Sequence, residues 1–283
     1  MARFTFRDLT TLDEFAEVVA LERQIWGSTY DDVVPVPILV ITVKRGGILI
    51  GAFDADHGHR MAGFVYSIAG LKDHQPTQWS HMLGVVDEHR NGGLGHRLKL
   101  LQRERALDMG LELIEWTYDP MQAANAHLNF AKLGVVVEEY EANIYGESRS
   151  PLHGGNPTDR FIAEWWIGRP HVERRVEASR TPALRSSELA DAVSANRLAA
   201  AGDWLECVDI NCSLDARRVT VQIPTGFTEM LSGAPQLALA WRVATRELFT
   251  TYFARGYRAV DFQLNRAARR GTYLLSRSAD GQA

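Results

Sequence analysis

The chain has 283 residues, 46% of them hydrophobic and 23% charged, which is the balance of a globular protein with ample material for a core. Its net charge of −4 is unevenly placed: residues 1–170 carry 16 Lys/Arg against 23 Asp/Glu, and residues 171–283 carry 15 against 12. Neither part is the basic body of a general nucleic-acid binder, so an anionic ligand in the first part must be held by local geometry. Two cysteines, Cys207 and Cys212, are too few for a disulfide framework or a four-cysteine zinc site and point to a reducing, cytoplasmic setting without metal. No apolar run reaches the roughly 18 residues of a membrane span, and the opening residues alternate like a strand, not like a signal peptide.

In chain order, Phe4 to Arg7 predicts a strand, and Thr11-Leu12-Asp13-Glu14 is a capping box opening a helix with Phe15, Val18, Val19 and Ile25 at helical spacing. A shorter helix starts near Pro37 and stops at Gly46-Gly47. Strands follow at Ile48–Asp54, Met61–Ala69 and from Ser80 to Val86, the first two joined by the turn Asp56-His57-Gly58-His59. A glycine-rich turn leads into a helix from Leu94 to Met109, ended by Gly110. Leu113 to Tyr118 reads as a strand, Met121 to Leu133 as a helix stopped by Gly134, and Val135 to Tyr140 as a strand. Residues 168–190 have the composition of a connecting segment. Beyond them, Val219–Ile223, Tyr257–Leu264 and Thr272–Leu275 read as strands around a long helix, Leu237–Ala254. Hairpins precede β-α-β units, so the fold class is mixed α/β with a mixed sheet. The expected organisation is one domain over 1–167, a connector over 168–190, and a C-terminal α/β extension of unassigned role over 191–283.

The chemistry concentrates at Arg90-Asn91-Gly92-Gly93-Leu94-Gly95, between a predicted strand and a predicted helix. Glycines let the backbone turn tightly and admit a ligand close to the amides. Amides at a helix start point outward and carry the positive end of the helix dipole. Such a cradle holds a pyrophosphate without net positive charge. A P-loop would end in Gly-Lys-Ser/Thr, whereas Gly95 is followed by His96-Arg97. A dinucleotide site would place its glycines after the first strand of a β-α-β unit, whereas this turn follows a hairpin system.

Arg90-x-x-Gly93-x-Gly95 after a fourth strand, followed by strand, helix and Phe130-Ala131-Lys132-Leu133-Gly134, resembles the GNAT superfamily, the Gcn5-related N-acyltransferases, over roughly residues 3–167. Asn143-x-Tyr145-Gly146, Asp159-Arg160-Phe161 and Trp241-Arg242…Gly256-Tyr257 look like a long bacterial subgroup of acyltransferases. The resemblance implies an acyl-CoA donor, acetyl-CoA by default, lying where the fourth and fifth strands splay. Backbone near Val85 and Val86 would pair with the pantetheine arm, and the amides of Asn91, Gly92, Gly93, Leu94 and Gly95, with Arg90 beside them, would hold the pyrophosphate. An amine would attack the thioester directly.

An amine nucleophile must be neutral, and His81, on the strand entering the cradle, is the candidate base. The family's acid is a tyrosine where this chain has Phe130, and a phenyl ring has no proton to give. Tyr145 or Tyr118 could replace it. Asn125 and Asn129, one turn apart on a helix, are candidates for the pantetheine amides, although the family's helix asparagine falls at Ala123 here. Arg160 could grip a substrate carboxylate or pair with Asp159. The expected partner is a small-molecule amine acceptor, with no nucleic acid and no membrane, and a homodimer is left open. Two further readings stand beside the enzyme: a non-catalytic acyl-CoA binder on the same fold, and a protein-modifying acyltransferase.

Overall fold

The computed structural model describes residues 3–27, 32–146, 155–178, 189 and 191–277. Much of the connector expected at 168–190 lies outside them. The chain forms two compact units, Met1–Trp116 with Trp166–Arg169, and Thr117–Trp165 with Pro170–Ala283. The division falls inside the stretch 1–167 that the sequence groups as one domain. Its physical basis is that residues just beyond Trp116 share the core of the C-terminal strands: Tyr118 meets Phe161, and Phe130 meets Tyr273.

In the first unit, β1 (Phe4–Asp8), β2 (Ile48–Asp54), β3 (Arg60–Lys72) and β4 (Gln75–Val85) run antiparallel in that order. β5 (Leu113–Tyr118), whose last two residues begin the second unit, pairs in parallel with β4. β2 is buried at every position, the signature of a strand covered on both faces. Helix α1 (Leu12–Trp26) packs on β3 and β4, α2 (Val36–Lys44) packs on α1 and β3, and α3 (Leu94–Asp108) crosses β2, β3 and β4. The capping box forms as expected: the Thr11 hydroxyl accepts from the Glu14 amide, and the Glu14 carboxylate takes the Thr11 amide at 2.9 Å.

Glu22 of α1 is buried, with one carboxylate oxygen taking the Val34 amide at 2.8 Å and the other without a hydrogen-bond partner among the described residues. Burial pushes its pKa up to about 7, against the lowering effects of the Val34 amide and Arg23. The folded state therefore holds the proton that the unfolded chain releases near 4.3. Stability from this group is fully present below the unfolded pKa and is lost as pH rises through about 7. Glu22→Gln is expected to raise Tm at pH 8 but not at pH 4, as read by thermal unfolding across that range. An equal gain at both pH values would refute the assignment.

In the second unit the strand order is β7 (Arg160–Trp166, whose last residue belongs to the first unit), β6 (Val136–Glu141), β12 (Arg258–Asn265), β13 (Arg270–Ser276), β11 (Arg218–Pro224) and β8 (Val193–Ser194). These pairs are antiparallel except β11 with β8. A separate hairpin joins β9 (Asn196–Ala201) to β10 (Trp204–Ile210). Phe161, Phe249, Tyr273 and Phe262 form an edge-to-face aromatic core. Helices α5 (Pro170–Glu177), within the expected connector, and α6 (Phe227–Gly233) were not legible, whereas α7 (Pro235–Ala254) matches the long helix expected. The helix expected over Met121–Leu133 differs. The Asp119 carboxylate holds the Met121 amide at 2.9 Å in a turn. α4 then spans only Ala123–Ala126, and His127–Leu133 widens into a π-helix closed by Gly134 at φ +75°. The protein is mixed α/β, with helices on predominantly antiparallel strands.

Candidate active site

β4 pairs with β5 only at Gln78↔Ile114 and Trp79↔Glu115. Among the described residues, Ser80–Val85 has no β5 partner in register, so one edge of β4 leaves its ladder before the glycine-rich turn. On the β3 side pairing continues to Gly63↔Val85, but with a bulge: Tyr66 faces Met82 and Ser67 faces Ser80, leaving His81 as the extra residue. Bulges re-aim side chains. His81 is an exposed residue whose ring lies edge-on to Tyr66 at 6.0 Å, and partial withdrawal of the ring from water lowers its pKa from the ordinary value.

The bulge also reverses which side chains face α3. Before it, Ser80 bonds to Lys99 and Gln102 of α3. After it, Leu83 and Val85 line the helix start beside Gly95, while Gly84 turns toward Ile25 of α1. A one-residue insertion exchanges the faces of a strand, and here it does so at His81.

A tight turn, Asp87–His89, follows Val86. It is anchored from below: His89 Nε2 lies 3.1 Å from Asp54 Oδ2, and the Phe4 ring meets the His89 ring at 5.1 Å. Burial raises the Asp54 pKa, but hydrogen bonds from His57, the Asp56 amide and Arg3 outweigh it and hold the carboxyl at about 2. Arg90 folds back on the turn, donating to the Val85 carbonyl at 3.2 Å and pairing with Asp87 at 2.8 Å. Asn91 (φ +61°) and Gly93 (φ +85°) adopt the left-handed conformation, which asparagine tolerates and glycine adopts without penalty. A Cβ on Gly93 would meet no atom within 4 Å, so the glycine is demanded by backbone conformation and not by packing. No side chain caps α3. Its first-turn amides, which have no intrahelical acceptor, open onto this turn.

The candidates predicted from sequence divide between the units. His81, Val85, Val86, Arg90, Asn91, Gly92, Gly93, Leu94 and Gly95 stand together on β4, the turn and α3 in the first unit. Val86 corrects one expectation, since its amide already donates to Ala62 at 3.0 Å and is not available to a ligand. Tyr145, Asn125, Asn129, Phe130 and Arg160 belong to the second unit.

Phe130 is 0% exposed and packs on Tyr273 at 5.6 Å, so it is a core residue and not a lining residue. Asn125 is exposed while Asn129 is buried. They do not share the face expected, because the π-helix shifts the i, i+4 relation on which that rested. Tyr145 and Arg160 are brought together, the guanidinium lying 5.5 Å from the ring centre. The Tyr145 hydroxyl pairs with Thr117 Oγ1 at 2.7 Å. Arg160 donates to the Asp159 backbone carbonyl at 2.9 Å, while the Asp159 carboxylate is taken by Arg246 and Tyr140. Asn143, Thr158 and Asp159 knit this segment: Asn143 Oδ1 accepts from the Thr158 amide at 3.1 Å, and Asp159 Oδ1 accepts from the Asn143 amide at 3.0 Å. Tyr118, the other acid candidate, is buried, and burial followed by Tyr273 pushes its hydroxyl well above the ordinary range.

Lys99, Gln102 and Ser80 were missed. The signal was present, since Leu94, Leu98, Gln102 and Ala106 form one buried stripe of α3 and Lys99 follows Leu98 on it, so two polar residues interrupt an apolar face. The Asp119–Arg242 pair had no such signal, because its members are 123 residues apart.

No protein-family model and no curated protein sequence matches the chain. Among solved structures it is similar to the NatC complex bound to Gag peptide and CoA, at 12% identity and a TM-score of 0.47 over 57% of this chain and 97% of that one. It is similar to an acetyltransferase of the GNAT family from Streptococcus pneumoniae, at 20% identity and a TM-score of 0.45 over 58% of this chain and 99% of that one. It is also similar to Arabidopsis thaliana NAA60 in complex with a bisubstrate analogue, at 13% identity and a TM-score of 0.45 over 58% and 97% of the two chains. Among the described residues no helix is long and apolar enough to cross a membrane.

Proposed function

We propose that this protein is an acyl-CoA-dependent N-acyltransferase of the Gcn5-related kind, moving an acetyl, succinyl or other acyl group from CoA to a primary amine of a small molecule such as an amino acid. The observation that carries the reading is a conjunction on one strand–turn–helix: β4 leaves its β5 ladder after Trp79, His81 is bulged out of it, and it feeds a left-handed glycine turn into a helix with no side-chain cap. The residues fit an anionic ligand that no net charge attracts. The first-turn amides of α3 would hold a pyrophosphate with Arg90 beside them. The edge of β4 that has no β5 partner after Trp79 would bond an amide-bearing arm, with the Val85 carbonyl shared with Arg90.

CoA supplies the acyl group as a thioester, whose carbon accepts the amine. The new bond is N–C, the bond broken is C–S, and the sulfur leaves with the electron pair. His81 takes the proton that the amine loses. Its lowered pKa keeps the ring neutral, and so able to accept, further into the acid range. In the second unit, Tyr145 carries a hydroxyl able to give a proton and Arg160 beside it a guanidinium able to grip a carboxylate. Thiol release from acetyl- and succinyl-CoA, measured against a panel of amines, amino acids and peptides, tests the reading. The burial of Phe130 at the family's acid position favours a second reading, a non-catalytic acyl-CoA binder. Tight CoA binding without release on any amine would establish that one instead.

His81→Ala is expected to lower kcat by roughly 10²–10⁴-fold, the usual contribution of a general base. It should also remove the acid-side limb of the pH–rate profile, which lies below the ordinary histidine value of about 6.5. An unaltered profile excludes His81 as the base.

A further inference from the structure

Lys99 is 3% exposed on the buried face of α3. Its Nζ donates to Ser80 Oγ at 2.8 Å and to Gln102 Oε1 at 3.1 Å, and sits 3.6 Å from the centre of the Trp116 ring. Two oxygens and the face of an indole thus meet the three N–H groups of an ammonium, and among the described residues no carboxylate pairs with it. Gln102, 0% exposed, closes the triangle by donating to Ser80 at 3.1 Å. Burying an ammonium without a counter-charge is costly, and a leucine or methionine would fill an apolar face at lower cost. Burial accordingly depresses the Lys99 pKa well below its ordinary value. All of this converges on Ser80, the last residue of β4 before the bulge, where the strand exchanges the side chains it turns toward α3. On the partner strand β3, Ser67, which faces Ser80, donates to Gln78 at 2.6 Å, and Gln78 donates to the Gly46 carbonyl at 2.6 Å. The flank of the bulge that precedes His81 is therefore held on both strands by buried polar groups, while His81 itself projects.

We propose that Lys99, acting with Gln102 through Ser80, is a positioning residue that pins the β4 bulge and so sets the direction in which His81 leaves the strand. Its kinetic consequence rests on the reading of His81 as the base; its structural content does not. The Tyr66 ring meets the His81 ring edge-on, and partial burial of the imidazole is what lowers the His81 pKa. If the bulge relaxes, the part of the ring now turned against the protein moves into water and its pKa rises toward the ordinary value.

The test uses Lys99→Met, which keeps the length and apolar bulk of the side chain, and Ser80→Ala, which carries the same test should the first variant not fold. In the full chain, each is expected to lower kcat about tenfold or more while KM for acetyl-CoA changes less than about twofold. In a His81→Ala background neither should lower kcat further. NMR titration of the imidazole should show the His81 midpoint moving upward in both variants. A folded variant with the His81 titration unmoved, or an undiminished kcat loss in the His81→Ala background, overturns the proposal. The titration needs no turnover: if no amine is acylated but the midpoint moves, the positioning role stands and the enzymatic reading fails.

Discussion

Gly93→Glu is expected to abolish CoA binding. The substitution acts on conformation and charge together. Gly93 has φ +85°, which a side chain adopts at a cost of about 1 kcal/mol. The larger effect comes from where the new side chain goes. A Cβ there meets nothing within 4 Å, so the glutamate stands in the open space before the α3 amides. Its carboxylate can take those amides itself, as an acidic N-cap does, and would repel a pyrophosphate from the same position. Gly93→Ala separates the two contributions, since it carries the backbone strain without the charge and should weaken binding less than tenfold. Calorimetry with CoA decides the matter. Unchanged affinity in Gly93→Glu would remove the donor site from this turn altogether.

Asp119→Ala is expected to have the largest effect on stability, about 3–5 kcal/mol. Arg242 has a side chain 2% exposed, bound to Asp119 at 2.6 and 2.8 Å. Removing the carboxylate leaves a guanidinium buried without its counter-charge. The same carboxylate also holds the Met121 amide at the entrance to α4. Asp159 offers a graded comparison. It is itself fully buried and binds Arg246 at 2.7 and 2.8 Å, but the Arg246 side chain is 36% exposed and keeps its water when the partner is lost. Asp159→Ala should therefore cost less, about 2–3 kcal/mol. Urea unfolding monitored by tryptophan fluorescence gives both values. An Asp119→Ala loss below that of Asp159→Ala would contradict the ordering by solvent access.

Elements whose cause is local were legible in the sequence. The capping box at Thr11–Glu14, the glycine stops at Gly110 and Gly134, and the hairpin turn after Asp54 follow from the conformational needs of a few adjacent residues. The glycine-rich turn was legible for the same reason, since a left-handed glycine at a helix start is a property of one short segment. The strand β9, Asn-Arg-Leu-Ala-Ala-Ala, was not, because alanine carries little strand preference and the hairpin with β10 supplies the pairing. The π-helix after Ala126, which separates Asn125 from Asn129 and sends Phe130 into the core, was not legible either, because packing on Tyr273 overrides a pattern that reads as plain α-helix.

By itself the sequence determined the class of fold and the strand–glycine turn–helix at Arg90–Gly95, because those depend on local backbone preferences and the periodicity of apolar residues. Only the tertiary structure decided that His81 sits at a bulge, that Lys99 is buried against Ser80 and Trp116, that the Val86 amide is already taken, and that Asp119 is closed by an arginine 123 residues away. Each of these depends on partners brought close by folding, and neither the register of a strand nor the counter-charge of a buried group is written in its neighbours along the chain.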